Sequence, residues 1–289
     1  MSLRVNALSI LISGVLAVAD GPVQATIIDY NTPGDLAANF SLNHNGAGNM
    51  YAETVAGGLG GSGAINPLPS IDGVHTTAAF SPNAFGFSNT ADSVTVSQFA
   101  LRQPHNTTFG INFSFMQLGL LADVTDRLGI SSAPDAYLSL RVLSDPTVSD
   151  ARVFLQSEVK TSGSGRIQDV IAGQTADLIA GNWYRFSTTF ENVSATEVLI
   201  TGALEDWGAD GLTLASTVLE LTSLNPQSLV NMSGLTGTSA LGDSSVWAGW
   251  RGFDRGGADL FDNFSVVPEP AAIWLIGLGA VTALRRSRR

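Results

Sequence analysis

The chain has no cysteine, a single lysine (Lys160) and three histidines among 289 residues. Without cysteine there is no disulfide, no thiolate metal site and no thiol nucleophile, so a domain of this size must be held by its core or by bound ions. The histidines, His44, His75 and His105, stand 31 and 30 positions apart, and no pair has metal-ligand spacing. There is no Gly-x-Ser-x-Gly elbow and no Gly-Lys-Ser or Gly-Lys-Thr sequence, which leaves acyl transfer and nucleotide chemistry without a handle. The "GGLGGSG" stretch at 57–63 opens no helical pattern and is expected to be a loop. Charge is also scarce, at 13% of residues. Setting aside Arg4, Arg285, Arg286, Arg288, Arg289, Asp20 and Glu269 near the two ends leaves 9 basic and 23 acidic residues, a difference of −14. Such a surface repels phosphate backbones, and nucleic acid is excluded as an expected partner.

The residues that are present include 44% apolar ones, enough to bury a sizeable core in one large domain. The two ends differ from the rest. "MSLRVNALSILISGVLAVADGPVQA" has one early positive charge, an apolar stretch and a small-residue finish. That is the plan of a secretory signal peptide over 1–25, cleaved between Ala25 and Thr26 after passage through the secretion machinery. At the other end, 271–284 is nearly all apolar and is followed by Arg285, Arg286, Arg288 and Arg289. A helix over that run is about 21 Å long, short of a hydrocarbon core of about 30 Å. The arginines would stay on the cytoplasmic side and orient it as a stop.

The tail's three parts occur in order. Val267-Pro268-Glu269-Pro270, then a short apolar helix with Trp274 near its start, then the arginine cluster, resemble the PEP-CTERM sorting signal of exported bacterial proteins. The resemblance implies recognition by a membrane-embedded exosortase, processing near the motif, and release of the domain to the cell surface or extracellular polymer. An ordinary C-terminal anchor is the alternative reading of 267–289, and both readings agree on export.

Between the ends, residues 26–266 alternate with a period of two. "GINFSFMQL" sets Ile111, Phe113 and Phe115 against Asn112, Ser114 and Met116. "WYRFSTTF" sets Tyr184, Phe186 and Phe190 against Trp183, Arg185, Ser187 and Thr189. "YLSLRVL", "ARVFLQSEV", "TEVLITGAL", "SVWAGW" and "ADLFDNFSVV" are similar, and no helical period persists outside the ends. Strands without crossover helices predict an all-β, antiparallel sandwich. Residues 43–73 read as long loops around one or two short strands. "GNWYRFSTTFENVSATEVLITGALEDWGADG" at 181–211 and the closing "DLFDNFSVV" resemble concanavalin A-like and laminin-G-like jelly rolls. That resemblance implies a jelly-roll β-sandwich, flanked by the signal helix and the short transmembrane helix.

Candidate sites are few. The glucanases among such jelly rolls carry Glu-x-Asp-x-Glu, which sets carboxylates on one strand face. Here Glu205 and Asp206 are adjacent, while Glu158, Glu191, Glu197 and Glu220 have no acidic partner at i+2 or i+4, so no catalytic residue is assigned and the protein is expected not to be an enzyme. "DWGADG" at 206–211 offers Asp206 and Asp210 to calcium, as does Asp262 alone in the last strand; the alternative for 206–211 is a tight turn whose carboxylates cap backbone amides. Trp247 and Trp250 should point to opposite faces, so at least one joins the core. Trp207, in the polar turn, is the candidate platform for a sugar ring. The expected function is therefore non-enzymatic: an exported surface or matrix sandwich in contact with exopolysaccharide. The alternatives are a secreted carbohydrate-active enzyme and a self-associating structural protein.

Overall fold

A computed structural model describes residues 25–44, 51–54, 56–67, 76–80, 84–87, 92–102, 112–121, 123–124, 135–144, 151–160, 166–175, 178–194, 196–231, 246–254 and 260–269. The expected signal segment before Ala25 and the expected transmembrane helix at 271–284 lie outside these residues. In chain order the strands are β1 (Thr26–Ile28), β2 (Phe40–His44), β3 (Tyr51–Thr54), β4 (Ala64–Pro67), β5 (Thr76–Phe80), β6 (Ser93–Leu101), β7 (Asn112–Leu121) and β8 (Asp135–Ser144). They continue as β9 (Ala151–Lys160), β10 (Arg166–Thr175), β11 (Trp183–Ser194), β12 (Glu197–Asp206), β13 (Ser216–Leu221), β14 (Leu229–Asn231), β15 (Trp247–Asp254) and β16 (Leu260–Glu269). Helix is confined to a five-residue turn, α1 (Asp35–Asn39), and two 3₁₀ turns among the described residues. None of these is long and apolar enough to cross a membrane.

The strands form two antiparallel sheets. The first runs β13-β12-β11-β6-β16-β4-β3, with β1 added on β16 and β14 on β12; the second runs β10-β9-β8-β7-β15-β5-β2. Alternation decides the first sheet. Along β11, Tyr184, Phe186, Thr188, Phe190 and Asn192 are buried, while Arg185, Ser187, Thr189 and Glu191 are half-buried on the other face. That outer face is a hydroxyl surface, with Thr95 against Thr189 at 2.7 Å and Ser97 against Ser265 at 2.9 Å.

The sheets meet over an aromatic cluster. Trp250 from β15 and Phe40 from β2 face Phe261 and Phe264 from β16, and Tyr30 stacks on Phe40 with ring centroids 6.2 Å apart. Phe40 and Phe264 meet edge to face at 5.1 Å, a favoured arrangement for two ring quadrupoles. Each such buried ring contributes about 1.5–3 kcal/mol by leaving water. Around it close Leu118 and Leu138 from the second sheet and Val96, Phe186 and Ile200 from the first.

The second sheet differs from the first in one respect that places the site. At its centre, residues 116–121 of β7 and 136–140 of β8 are buried on both faces. Met116, Leu118 and Leu120 join the common core, so Gln117, Gly119 and Leu121 are buried on the face turned away from it.

Candidate functional site

On that outer face three polar side chains stand in one register row. Arg251 of β15 pairs with Gln117 of β7, which pairs with Ser139 of β8. Arg251, Gln117 and Ser139 are only 5%, 5% and 2% exposed. Burial of polar groups obliges them to bond, and they bond to one another: Gln117 Nε2 donates to Ser139 Oγ at 2.9 Å, and Arg251 Nη1 donates to Gln117 Oε1 at 3.3 Å. By backbone register the row continues through Gln156 of β9 on one side and through Thr77 and Asn43 on the other. The next row pairs Gly249 with Gly119 and Gly119 with Tyr137, which puts no side chain at the centre of the face. Leu121, Tyr137 and Val124 pack together beside it, and half-buried Trp247 pairs with Leu121. The face thus holds a guanidinium, an amide and a hydroxyl in fixed positions, bonded to one another, beside aromatic rings.

These residues were missed in the sequence. Their signal was there: "FMQLGL", "YLSL" and "AGWRGF" each set one polar residue among neighbours that are apolar on both sides. What links Gln117 to Arg251 is pairing across 134 positions, which no local spacing displays.

The expected site residues lie elsewhere. Trp207 is half-buried at the end of β12. The Arg185 guanidinium sits 5.0 Å from its ring centroid, Phe99 meets it edge to face at 5.5 Å, and its indole N–H donates to Glu205 at 3.1 Å. Arg185 and Glu205 close the cluster with a 2.7 Å ion pair. Trp250 is in the core, and Trp247 is on the opposite face of β15.

Asp206 and Asp210 share the turn 206–211. Asp206 accepts from Gly208 N at 2.7 Å and from Asn182 Nδ2 at 3.0 and 3.1 Å, and exposed Asp210 accepts from Leu212 N at 3.0 Å. These carboxylates do the work of turn caps. Asp262 is buried in β16 and serves a different segment: it accepts from Leu59 N at 2.7 Å, Ser62 Oγ at 2.6 Å and Asn263 N at 2.6 Å. Among the described residues no three His, Asp or Glu side chains cluster to hold a metal.

Burial raises the pKa of Asp262 above 3.8, against the opposing pull of those donors. Its folded pKa exceeds its unfolded one, so the folded chain takes up this proton first as pH falls. The group's favourable contribution is complete below pH 3.8 and is lost as pH rises through the raised value. Thermal melting of wild type and Asp262→Ala across mildly acidic pH should therefore diverge in slope, with wild type gaining relative to the variant as pH falls. Parallel curves would count against the assignment.

The last strand runs to Glu269, so Val267 and Pro268 pair with Thr95 and Val94 inside the first sheet, and Glu269 pairs with Ser93. Pro270 and the four arginines lie outside the described residues. Residues 266–289 match the family described as the PEP-CTERM protein-sorting motif. The chain ends in a PEP-CTERM sorting motif. Motifs of this kind are recognised by an exosortase and imply export with membrane-associated sorting toward the cell surface. No curated protein matches the chain.

Solved structures resemble the chain in fold. The marine PL-14 alginate lyase from Aplysia kurodai superposes with a TM-score of 0.52 at 11% identity, over 86% of this chain and 99% of that one. Lectin II from Ulex europaeus gives 0.44 at 9% identity, over 86% and 100%. An endo-1,3-β-glucanase from Streptomyces sioyaensis gives 0.42 at 8%, over 86% and 98%. The fold is an antiparallel jelly-roll β-sandwich.

Proposed function

We propose that this PEP-CTERM protein is a non-enzymatic surface sandwich that holds exopolysaccharide across the outer face of its second sheet. During sorting it is held at the membrane by 271–284 and the arginines behind them, then released. The observation that supports binding there is the buried row Arg251–Gln117–Ser139. Ordering three polar side chains on a face away from the core costs desolvation that an apolar row would avoid. The guanidinium is the side chain whose planar fork matches a carboxylate or paired hydroxyls.

The test is retention of the purified protein on a panel of exopolysaccharides. Wild type is expected to bind at least one. Arg251→Ala should weaken that binding by about tenfold or more, since a hydrogen bond to a charged group contributes about 1.5–3 kcal/mol, while Arg251→Lys should recover only part of it. No retention on any polysaccharide removes the proposal; self-association without retention supports a structural role instead. The enzymatic alternative is distinguished in the same samples, because a bound polymer that shortens with time requires catalysis.

A further inference from the structure

The N-terminal strand and the sorting motif lie side by side. β1 pairs antiparallel with β16, Thr26 opposite Val266, Ile27 opposite Ser265 and Ile28 opposite Phe264. The chain therefore enters the sandwich beside the point at which its motif leaves it. On its other edge β16 pairs with β6 through Val267–Thr95, Pro268–Val94 and Glu269–Ser93. β6 is firmly seated there, with Val94 and Val96 buried in the core next to Val266. Four residues of the matched stretch, Val266 to Glu269, are thus part of the folded first sheet, and β1 covers their second edge only as far as Val266.

A protease that grips its substrate as an extended chain needs the substrate's main-chain N–H and C=O groups, and these are the groups that strand pairing uses. Here β6 already occupies one edge of Val267–Glu269. We propose that the sandwich guards its own sorting motif: Val267, Pro268 and Glu269 become available to the exosortase only when the end of β16 unzips from β6. The inference rests on the exosortase reading above. Processing breaks one backbone C–N bond; with water as acceptor, the domain keeps the new carboxylate and the tail leaves with the protonated amine. Strand ends open locally without global unfolding, so the guard slows processing and does not forbid it. Pairing also means that the rate reports on the folded state of the domain being sorted.

A cross-link tests this, and the absence of native cysteine makes it clean. Directly opposed antiparallel residues have Cα atoms about 4.5–5.5 Å apart, within disulfide range. The full chain carrying Thr95→Cys and Val267→Cys would be presented to exosortase-containing membranes before and after reduction, so that one sequence is compared with itself. The oxidised form should be processed at least tenfold more slowly than the reduced form. A second cross-link, Ser97→Cys with Ser265→Cys, joins the same two strands deeper in the sheet and should leave the wild-type rate unchanged. Equal rates for oxidised and reduced Thr95/Val267 variants would overturn the guard. Equal slowing by both cross-links would overturn it too, by showing that the end of β16 is not special. Wild type left unprocessed by exosortase membranes would instead remove the sorting reading.

Discussion

Trp250→Ala is expected to lower the stability of the sandwich by about 3–5 kcal/mol, the usual cost of truncating a buried large aromatic. Trp250 is fully buried and touches both sheets' aromatic contributions: Phe40 at 6.4 Å on one side and Phe261 at 6.2 Å on the other. Removing the indole leaves a cavity that neither sheet can close, because β15 is paired with β7 along its length and with β5 from Gly249 to Gly252, on both sides of Trp250. Its loss also changes the surroundings of the Tyr30 hydroxyl, whose pKa is pushed well above its ordinary value by burial and by the charge of Asp262. For a domain of this size the melting temperature should fall by about 6–20 °C. A calorimetric shift of only a degree or two would show that the two sheets are not joined through this cluster. Trp250→Phe, which keeps a ring in place, should recover much of the loss.

Gly63→Ala should cost about 3 kcal/mol, near the top of the range for overpacking, although it adds one methyl group. A Cβ at Gly63 would lie 1.9 Å from the Tyr30 carbonyl oxygen and 2.7 Å from its carbonyl carbon. These are backbone atoms and cannot swing aside. Tyr30 is itself held at φ 51, an unusual conformation for a non-glycine residue, so the segment that leaves β1 has little freedom to yield. The neighbouring loop is tied down by Asp262 through Leu59 and Ser62. Gly60→Ala, where a Cβ meets nothing within 4 Å but φ is +66, separates the two effects: it should cost about 1–2 kcal/mol from backbone strain alone. Denaturant unfolding of the two variants should rank them in that order, and the reverse order would refute the steric explanation.

Much of the architecture was legible because β structure writes a local code. From Tyr184 on, the alternation in "WYRFSTTF" became the buried and half-buried faces of β11, with Trp183 buried as well, and "GINFSFMQL" became β7, whose first residue is Asn112. The separation of Trp247 from Trp250 by three positions correctly divided them between the faces of β15. The loop-rich 43–73 stretch contains β3 and β4, as expected of loops around short strands. The candidate site was legible only in fragments. Alternation alone does not say that the outer face of the second sheet is buried, and so could not distinguish Gln117 or Ser139 from ordinary solvated strand residues.

By itself, the sequence determined that the protein is an all-β sandwich ending in a PEP-CTERM motif. Both properties are carried by contiguous residues: a two-residue period in one case and an ordered run of Pro-Glu-Pro, apolar residues and arginines in the other. The tertiary structure alone decided which strands meet. It set Arg251 beside Gln117, covered Trp207 with Arg185 and Phe99, gave Asp262 to the loop at Leu59, and laid Val267 to Glu269 along β6. The physical reason is common to all four. Pairing between distant segments follows from how two whole sheets bury their apolar faces against each other, a free energy summed over the domain that no short stretch of chain contains.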